Sequence, residues 1–297
     1  MLFHIKHVTK YAYERPASHS RNQVRLTPID AADQKLIAFK LEVSPAAEIS
    51  QYKDGFSNIS HSIDLRPPHT ELVISSSSIV ERNASTFQKA TQISIRDYLI
   101  RDEARKKKYG EFLNPSRYIP FSERLRKFFW PVRPQLSEDV TAYSERMMLY
   151  VHDQFGYDRT TTNVHSTIDD ILTLGGGVCQ DFAHLSIGLL RLAGVPARYV
   201  SGYLAPEPQN LTFNPPRLAS HAWIEALLSG AGWTGFDPTH RIRTTLRHIT
   251  VAVGRDFSDL PMIFGVYRSG GGLRSMTYEL QISPEAAHQG NEVKRSQ

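Results

Sequence analysis

The stretch GGGVCQDFAHLSIGLLRLAGVPARYV, residues 175–200, decides how this chain is read. Three glycines run up to Cys179. Phe182, Leu185, Leu189 and Leu192 then recur at helical spacing, and Gly194 and Pro196 act as stop signals. The pattern predicts an amphipathic helix with Cys179 at its N-terminus. There the unpaired backbone N–H groups and the helix dipole favour thiolate over thiol, and the same N–H groups can hold an oxyanion. An isolated cysteine is more often a small buried hydrophobe, and the glycine-led helix start is what sets this one apart. The glycines do not read as a phosphate loop, because no Lys-Ser or Lys-Thr follows them.

Downstream, ASHAWIEALLSGAGWTGFDPT (219–239) reads as two strands joined by a tight turn. A three-residue loop over 229–231 pairs Leu228 with Gly232. That register sets Thr239 opposite His221, with Asp237 its diagonal neighbour on the same face. Loops of two or four residues would put the two on opposite faces unless a bulge intervened. A cysteine nucleophile needs an imidazole to take and return a proton, and the imidazole needs a carboxylate to fix its tautomer. Cys179, His221 and Asp237 supply that set. Taken alone, a histidine on a strand is commonly structural and an Asp before Pro a turn cap; their joint occurrence carries the reading. A metal site built from His184, His221 and His240 ranks last, since helical His-x-x-x-His spacing is absent and there is one thiol.

Working outward, the first 85 residues carry strand patterns, with Phe39, Leu41 and Val43 and then Ile59, Ile63 and Leu65 at alternating positions. Asp54-Gly55 between them signals a hairpin with a loop longer than two residues. A β-sandwich is expected over 1–85. A helical linker follows over 86–136, with helices near 94–108 and 122–129; its basic run 105–108 reads as solvated surface. The core domain is placed at 137–283. Its first helix is capped by Ser137, with Val140, Tyr143, Met147 and Tyr150 on one side. The Pro- and Asn-rich loop 205–219 either walls a cleft or is an exposed crossover, and the polar tail 284–297 is expected to be disordered.

The composition, 40% hydrophobic and 22% charged over 297 residues, is that of a globular chain able to bury two modest cores. A formal charge of +5 arises from 35 basic and 30 acidic residues in interspersed order, so neither nucleic acid nor membrane is an expected partner. The single cysteine excludes an intrachain disulfide and suits a reducing compartment. The opening MLFHIKHVTKYAYERP lacks the apolar core of a secretory signal, and a cytoplasmic location is expected. No cofactor motif is present in the sequence.

GGGVCQDFAH, SHAWIEA and GWTGFDPT, in that order, resemble the core of the transglutaminase-like superfamily. YDRTTTNVH, PARYVSGYL and ITVAVGRDFSDLP resemble its bacterial members, including a cysteine protease group, while SRNQVRLTP and DGFSN resemble their β-rich N-terminal domain. The resemblance implies an α+β chain: a β-sandwich followed by a papain-like core. It also implies Cys179 as nucleophile, His221 as base and acid, and Asp237 as orienter, acting on a peptide or protein amide. The cross-linking eukaryotic enzymes have Trp after their cysteine, where this chain has Gln180. A polar neighbour admits water to a thioester, so hydrolysis is expected ahead of amine transfer. Transglutaminase-type transfer and a non-catalytic peptide-binding scaffold are the alternatives. An intact Cys-His-Asp set disfavours the scaffold, and Asp237→Asn is expected to leave folding intact.

Overall fold

The computed structural model describes residues 1–84, 90–100, 103–207, 220–269 and 271–285. Strands β1 (Leu2–Val24), β2 (Gln34–Ser44), β3 (Glu48–Lys53), β4 (Ile59–Leu65) and β5 (His69–Arg82) open the chain. β1 is long because its pattern holds: Phe3, Ile5, His7 and Thr9 are buried, and His4, Lys6 and Lys10 alternate with them as exposed residues. Its pairing shifts between Ala12 and Ala17, across Pro16, which has no N–H for a ladder. Residues before the shift pair mainly with β5, and those after it with β4. Ile63 and Leu65 of β4 pack in one cluster with Leu72 and Ile74 of β5. The two layers of the expected sandwich are thus parts of one curled sheet. The Asp54-Gly55 loop spans residues 54–58 between Lys53 and its pairing partner Ile59.

The helices are α1 (Ile95–Ile100), α2 (Glu103–Tyr109), α3 (Glu123–Phe129), α4 (Val140–Gln154), α5 (Ile168–Leu174) and α6 (Cys179–Leu192). Among them run β6 (Gly156–Tyr157) and β7 (Gly176–Gly177). After α6 come β8 (Ala197–Leu204), β9 (Ser220–Leu228), β10 (Gly232–Asp237), β11 (Ile242–Arg243) and β12 (His248–Gly254). These five form an antiparallel sheet in the order β11-β10-β9-β8-β12. Ile95 and Tyr98 of α1 and Leu125 of α3 lie in the same buried cluster as α6. The expected linker is therefore part of the core domain's packing. α4 is capped by Asp139 in place of Ser137. One carboxylate oxygen accepts from the Thr141 and Ala142 amides at 2.9 and 3.0 Å, and the other accepts from Ile93 N at 2.9 Å, tying α4 to the start of α1.

Two further corrections concern position. The last strands, β13 (Ile263–Ser269) and β14 (Leu273–Pro284), pair antiparallel with β1 and so join the N-terminal sheet, although their sequence falls in the expected core domain. The second edge of a 23-residue strand would otherwise be unpaired, and these strands cover it. α6 is buried along its whole length from Gln180 to Arg191, enclosed by α3, α4, α5, β8 and β9, where a one-sided helix was expected. Gln180, Asp181, His184 and Arg191 read as polar positions of a solvent face but find partners inside. Buried Arg191, for example, donates to the carbonyls of Ala197, Asn114 and Arg255. No helix among the described residues is long and apolar enough to cross a membrane. Most of the 205–219 loop and all but the first residues of the tail lie outside the described residues.

Candidate active site

Cys179 takes its position from the residues just before it. α5 ends at Gly175 with φ +77°, a left-handed conformation that glycine adopts without strain. The chain then pairs as β7 with β6 and turns into α6. A Cβ on Gly177 would overlap the Asp181 carboxylate, so only glycine lets that carboxylate fold back over the helix start. There it accepts from Val178 N at 2.8 Å and from Thr162 Oγ1 at 2.5 Å. Burial raises the Asp181 pKa, and these two hydrogen bonds oppose the rise. Cys179 is left partly accessible on the first residue of a rigid helix.

The β9–β10 hairpin has the register expected from a three-residue loop, with Leu228 opposite Gly232 and Ile224 opposite Phe236. That register brings His221 and Asp237 together: the imidazole Nε2–H donates to Asp237 Oδ2 at 2.8 Å. His221 and Cys179 line the same cleft, and the sulfur lies close enough to the imidazole to favour its charged form. Burial alone would lower the His221 pKa. The hydrogen bond and charge of Asp237, with the nearby Cys179, outweigh burial and raise it to about 10. The structure thus hydrogen-bonds two of the sequence-derived candidates, His221 and Asp237, and sets Cys179 in the same cleft as His221.

Asp237 is fully buried and more heavily bonded than its sequence suggests. Oδ2 also accepts from His240 Nδ1 at 2.8 Å and His248 Nε2 at 3.2 Å. Oδ1 accepts from the backbone amides of Thr239 at 2.9 Å and His240 at 3.2 Å. Burial raises the carboxyl pKa, but the three imidazoles outweigh it and hold the group well below the usual carboxylate range. His248 Nδ1 accepts from Thr245 N at 3.0 Å, so its proton must sit on Nε2, facing Asp237. The sequence reading gives His240 no role at Asp237 and passes over His248. No spacing signals His248, because β9 and β8 separate its strand from β10 in the sheet.

His184 does not join the group. It is buried beside Tyr118 and Tyr199 and accepts from Phe257 N at 3.2 Å. Burial lowers its pKa to about 4. His221, Asp237 and His240 do place potential ligand atoms within 4.8 Å of one another. The imidazoles of His221, His240 and His248 already donate to the Asp237 carboxylate. Cys179 and His221 line a cleft of about 750 Å³, whose other walls include Tyr118 and Tyr199 of the core and Tyr11 and Tyr278 of the N-terminal sheet.

Residues 3–81 match the bacterial transglutaminase-like N-terminal region, and residues 134–238 match the transglutaminase-like superfamily. An uncharacterized protein of Mycobacterium leprae is 34% identical over 281 residues, 94% of this chain and 97% of its own length. The chain belongs to the transglutaminase-like superfamily. Other relatives agree on extent: an uncharacterized protein of Mycobacterium tuberculosis is 30% identical over 292 residues, covering 89% of this chain and 87% of its own. A solved structure of a candidate cysteine protease from Cytophaga hutchinsonii shares the fold across 96% of this chain and 92% of that one, with a TM-score of 0.76 at 24% identity. Similarity to a protein-glutamine gamma-glutamyltransferase of Pseudomonas aeruginosa is 30% over 95 residues, 31% of this chain and 14% of that protein.

Proposed function

We propose that this superfamily member is a thiol-dependent enzyme that opens amide or peptide bonds through a thioester on Cys179, acting as a cysteine peptidase or amidase. The observation that carries the reading is the 2.8 Å hydrogen bond from His221 to buried Asp237, with His221 and Cys179 lining one cleft and Cys179 at a helix N-terminus. Because Nε2 of His221 is held by Asp237, Nδ1 is the nitrogen left for the sulfur. The thiolate attacks the amide carbon, a C–S bond forms, and negative charge moves to the carbonyl oxygen, near the Cys179 backbone N–H. His221 gives its proton to the leaving nitrogen and the C–N bond breaks. Water then attacks the thioester while His221 takes a proton from it, the C–S bond breaks, and the acid departs. Asp237 stays ionised throughout and holds the ring in the productive tautomer.

Gln180 supports water as the acceptor. It follows Cys179 directly, lines the same cleft and is held by a hydrogen bond from Nε2 to Val164 O at 3.3 Å, so the thioester's sequence neighbour is polar. The partial likeness to a protein-glutamine gamma-glutamyltransferase favours the second reading, transfer to an amine. The single thiol fits a reducing compartment, and the proposed location is the cytoplasm. The test is to acylate folded protein with an activated ester and follow the adduct by intact-mass spectrometry, with and without a primary amine. Decay to free enzyme at an amine-independent rate is expected. Capture of most acyl groups by millimolar amine overturns the hydrolase assignment. Failure of Cys179 to acylate overturns the enzymatic reading and leaves the scaffold alternative.

A further inference from the structure

The cleft over Cys179 is built from both ends of the chain as well as its middle. β1 contributes Tyr11, β13 contributes Phe264, and β14 contributes Met276 and Tyr278. Phe264, Met276 and Tyr278 are 59%, 53% and 50% exposed. Single exposed hydrophobic residues are ordinary, but several gathered along one concave wall mark a surface that awaits a partner. The Tyr11 hydroxyl, whose pKa burial and then neighbouring Tyr13 push up to about 12, stays neutral and adds no charge to that wall.

The cleft is also one-sided in charge. Among the described residues no Asp or Glu lines it, whereas Arg117 does. Arg117 is exposed and sits 5.7 Å from the Tyr118 ring, and no carboxylate of the described residues pairs with it. The N-terminus of α6 adds positive potential at the same floor.

We propose that the cleft selects an extended peptide carrying a bulky apolar side chain, seated against Tyr11, Met276 and Tyr278, and a carboxylate, met by Arg117. This rests on the thiol-enzyme reading, since the peptide is that site's substrate. Apolar contact supplies most of the affinity, because removing apolar surface from water is the dominant favourable term in association. Arg117 supplies discrimination: a guanidinium binds a carboxylate through paired N–H donors and repels an ammonium.

The test uses full-length Cys179→Ala protein and four fluorescein-labelled hexapeptides that combine Phe or Ser with Glu or Lys, read by fluorescence anisotropy. The Phe/Glu peptide is expected to bind tightest. Exchange of Glu for Lys is expected to weaken it about tenfold, an effect that shrinks in high salt. Arg117→Glu should invert the Glu-over-Lys preference, and Tyr278→Ala should abolish the Phe-over-Ser preference. Both side chains are exposed, so neither substitution threatens the fold. Equal binding of the Glu and Lys peptides, an unchanged preference in Arg117→Glu, or no binding of any peptide overturns the proposal. The readings fail separately. Selective binding by a protein whose wild type never forms a thioester sinks only the enzymatic reading, whereas thioester formation without peptide selectivity sinks only this one.

Discussion

Replacement of Asp237 by Asn keeps the side chain's shape and removes its charge, and the structure sets what that costs. The native carboxylate accepts five hydrogen bonds at full burial, from His221, His240 and His248 on one oxygen and from the Thr239 and His240 amides on the other. Asparagine brings one oxygen and an NH2 group. If the oxygen serves the backbone amides, the NH2 faces three imidazoles. His248 cannot change tautomer to accept, because its Nδ1 already takes the Thr245 amide proton. If the amide flips, the NH2 opposes the two backbone donors. Either way a buried donor is stranded, at about 1–3 kcal/mol, and a charge-assisted bond worth about 1.5–3 kcal/mol is lost. The expected loss is about 2.5–6 kcal/mol, a large share of the roughly 5–15 kcal/mol that stabilises a typical domain. The sequence reading, which sees an orienting residue alone, expects folding to stay intact, and the buried network revises that. Turnover should fall by about 10³- to 10⁴-fold, the scale seen when a triad carboxylate becomes an amide. Urea unfolding followed by tryptophan fluorescence and the rate of acyl-enzyme formation read the two effects. A variant within about 0.5 kcal/mol of wild type, or acylating within tenfold of its rate, would refute the reasoning.

Other outcomes follow from the same geometry. The His221 pKa is raised to about 10 from an ordinary value of 6.5, so its contribution to stability is complete below about pH 6.5 and is lost as pH rises through about 10. Wild type should therefore lose more stability than Asp237→Asn across that window, measured as urea midpoint against pH; parallel curves would contradict the ion pair. Asp237, whose pKa is depressed, contributes stability above the ordinary carboxylate range that is lost on acidification through its folded value. Cys179 beside an imidazolium at a helix start should be alkylated by iodoacetamide faster than free cysteine at mildly acidic pH, and slow labelling of folded protein at every pH would argue against a nucleophile. Cys179→Ala should abolish turnover while leaving the unfolding free energy within about 1 kcal/mol of wild type, and residual turnover above the uncatalysed rate would count against the mechanism. Gly177→Ala should push the Asp181 carboxylate off the helix start, costing about 1–3 kcal/mol and slowing alkylation of Cys179; an unchanged midpoint would show that the helix start tolerates a side chain there.

What the sequence by itself determined is local. Glycines before Cys179, apolar spacing after it and the Gly-Pro stop place the helix start, because caps, left-handed turns and side-chain period are set within a few residues. The three-residue turn and the period of two likewise put Asp237 on the face of His221, since a strand's register follows from its loop. Only the tertiary structure decided the rest. Ser137 and Asp139 are both competent caps, and Asp139 is the one whose second oxygen also takes the Ile93 amide, a group 46 residues away. The polar residues of α6 look solvent-facing until the carbonyls that satisfy Arg191 are brought in from three separate segments. β13 and β14 carry no mark of the sheet they join, because an open edge is a property of β1 and not of the strands that fill it. His248 reaches Asp237, and Tyr278 reaches the cleft of Cys179, through pairings between strands far apart in the chain. Such contacts form only once the whole fold has brought distant segments together, so no short window of residues can encode them.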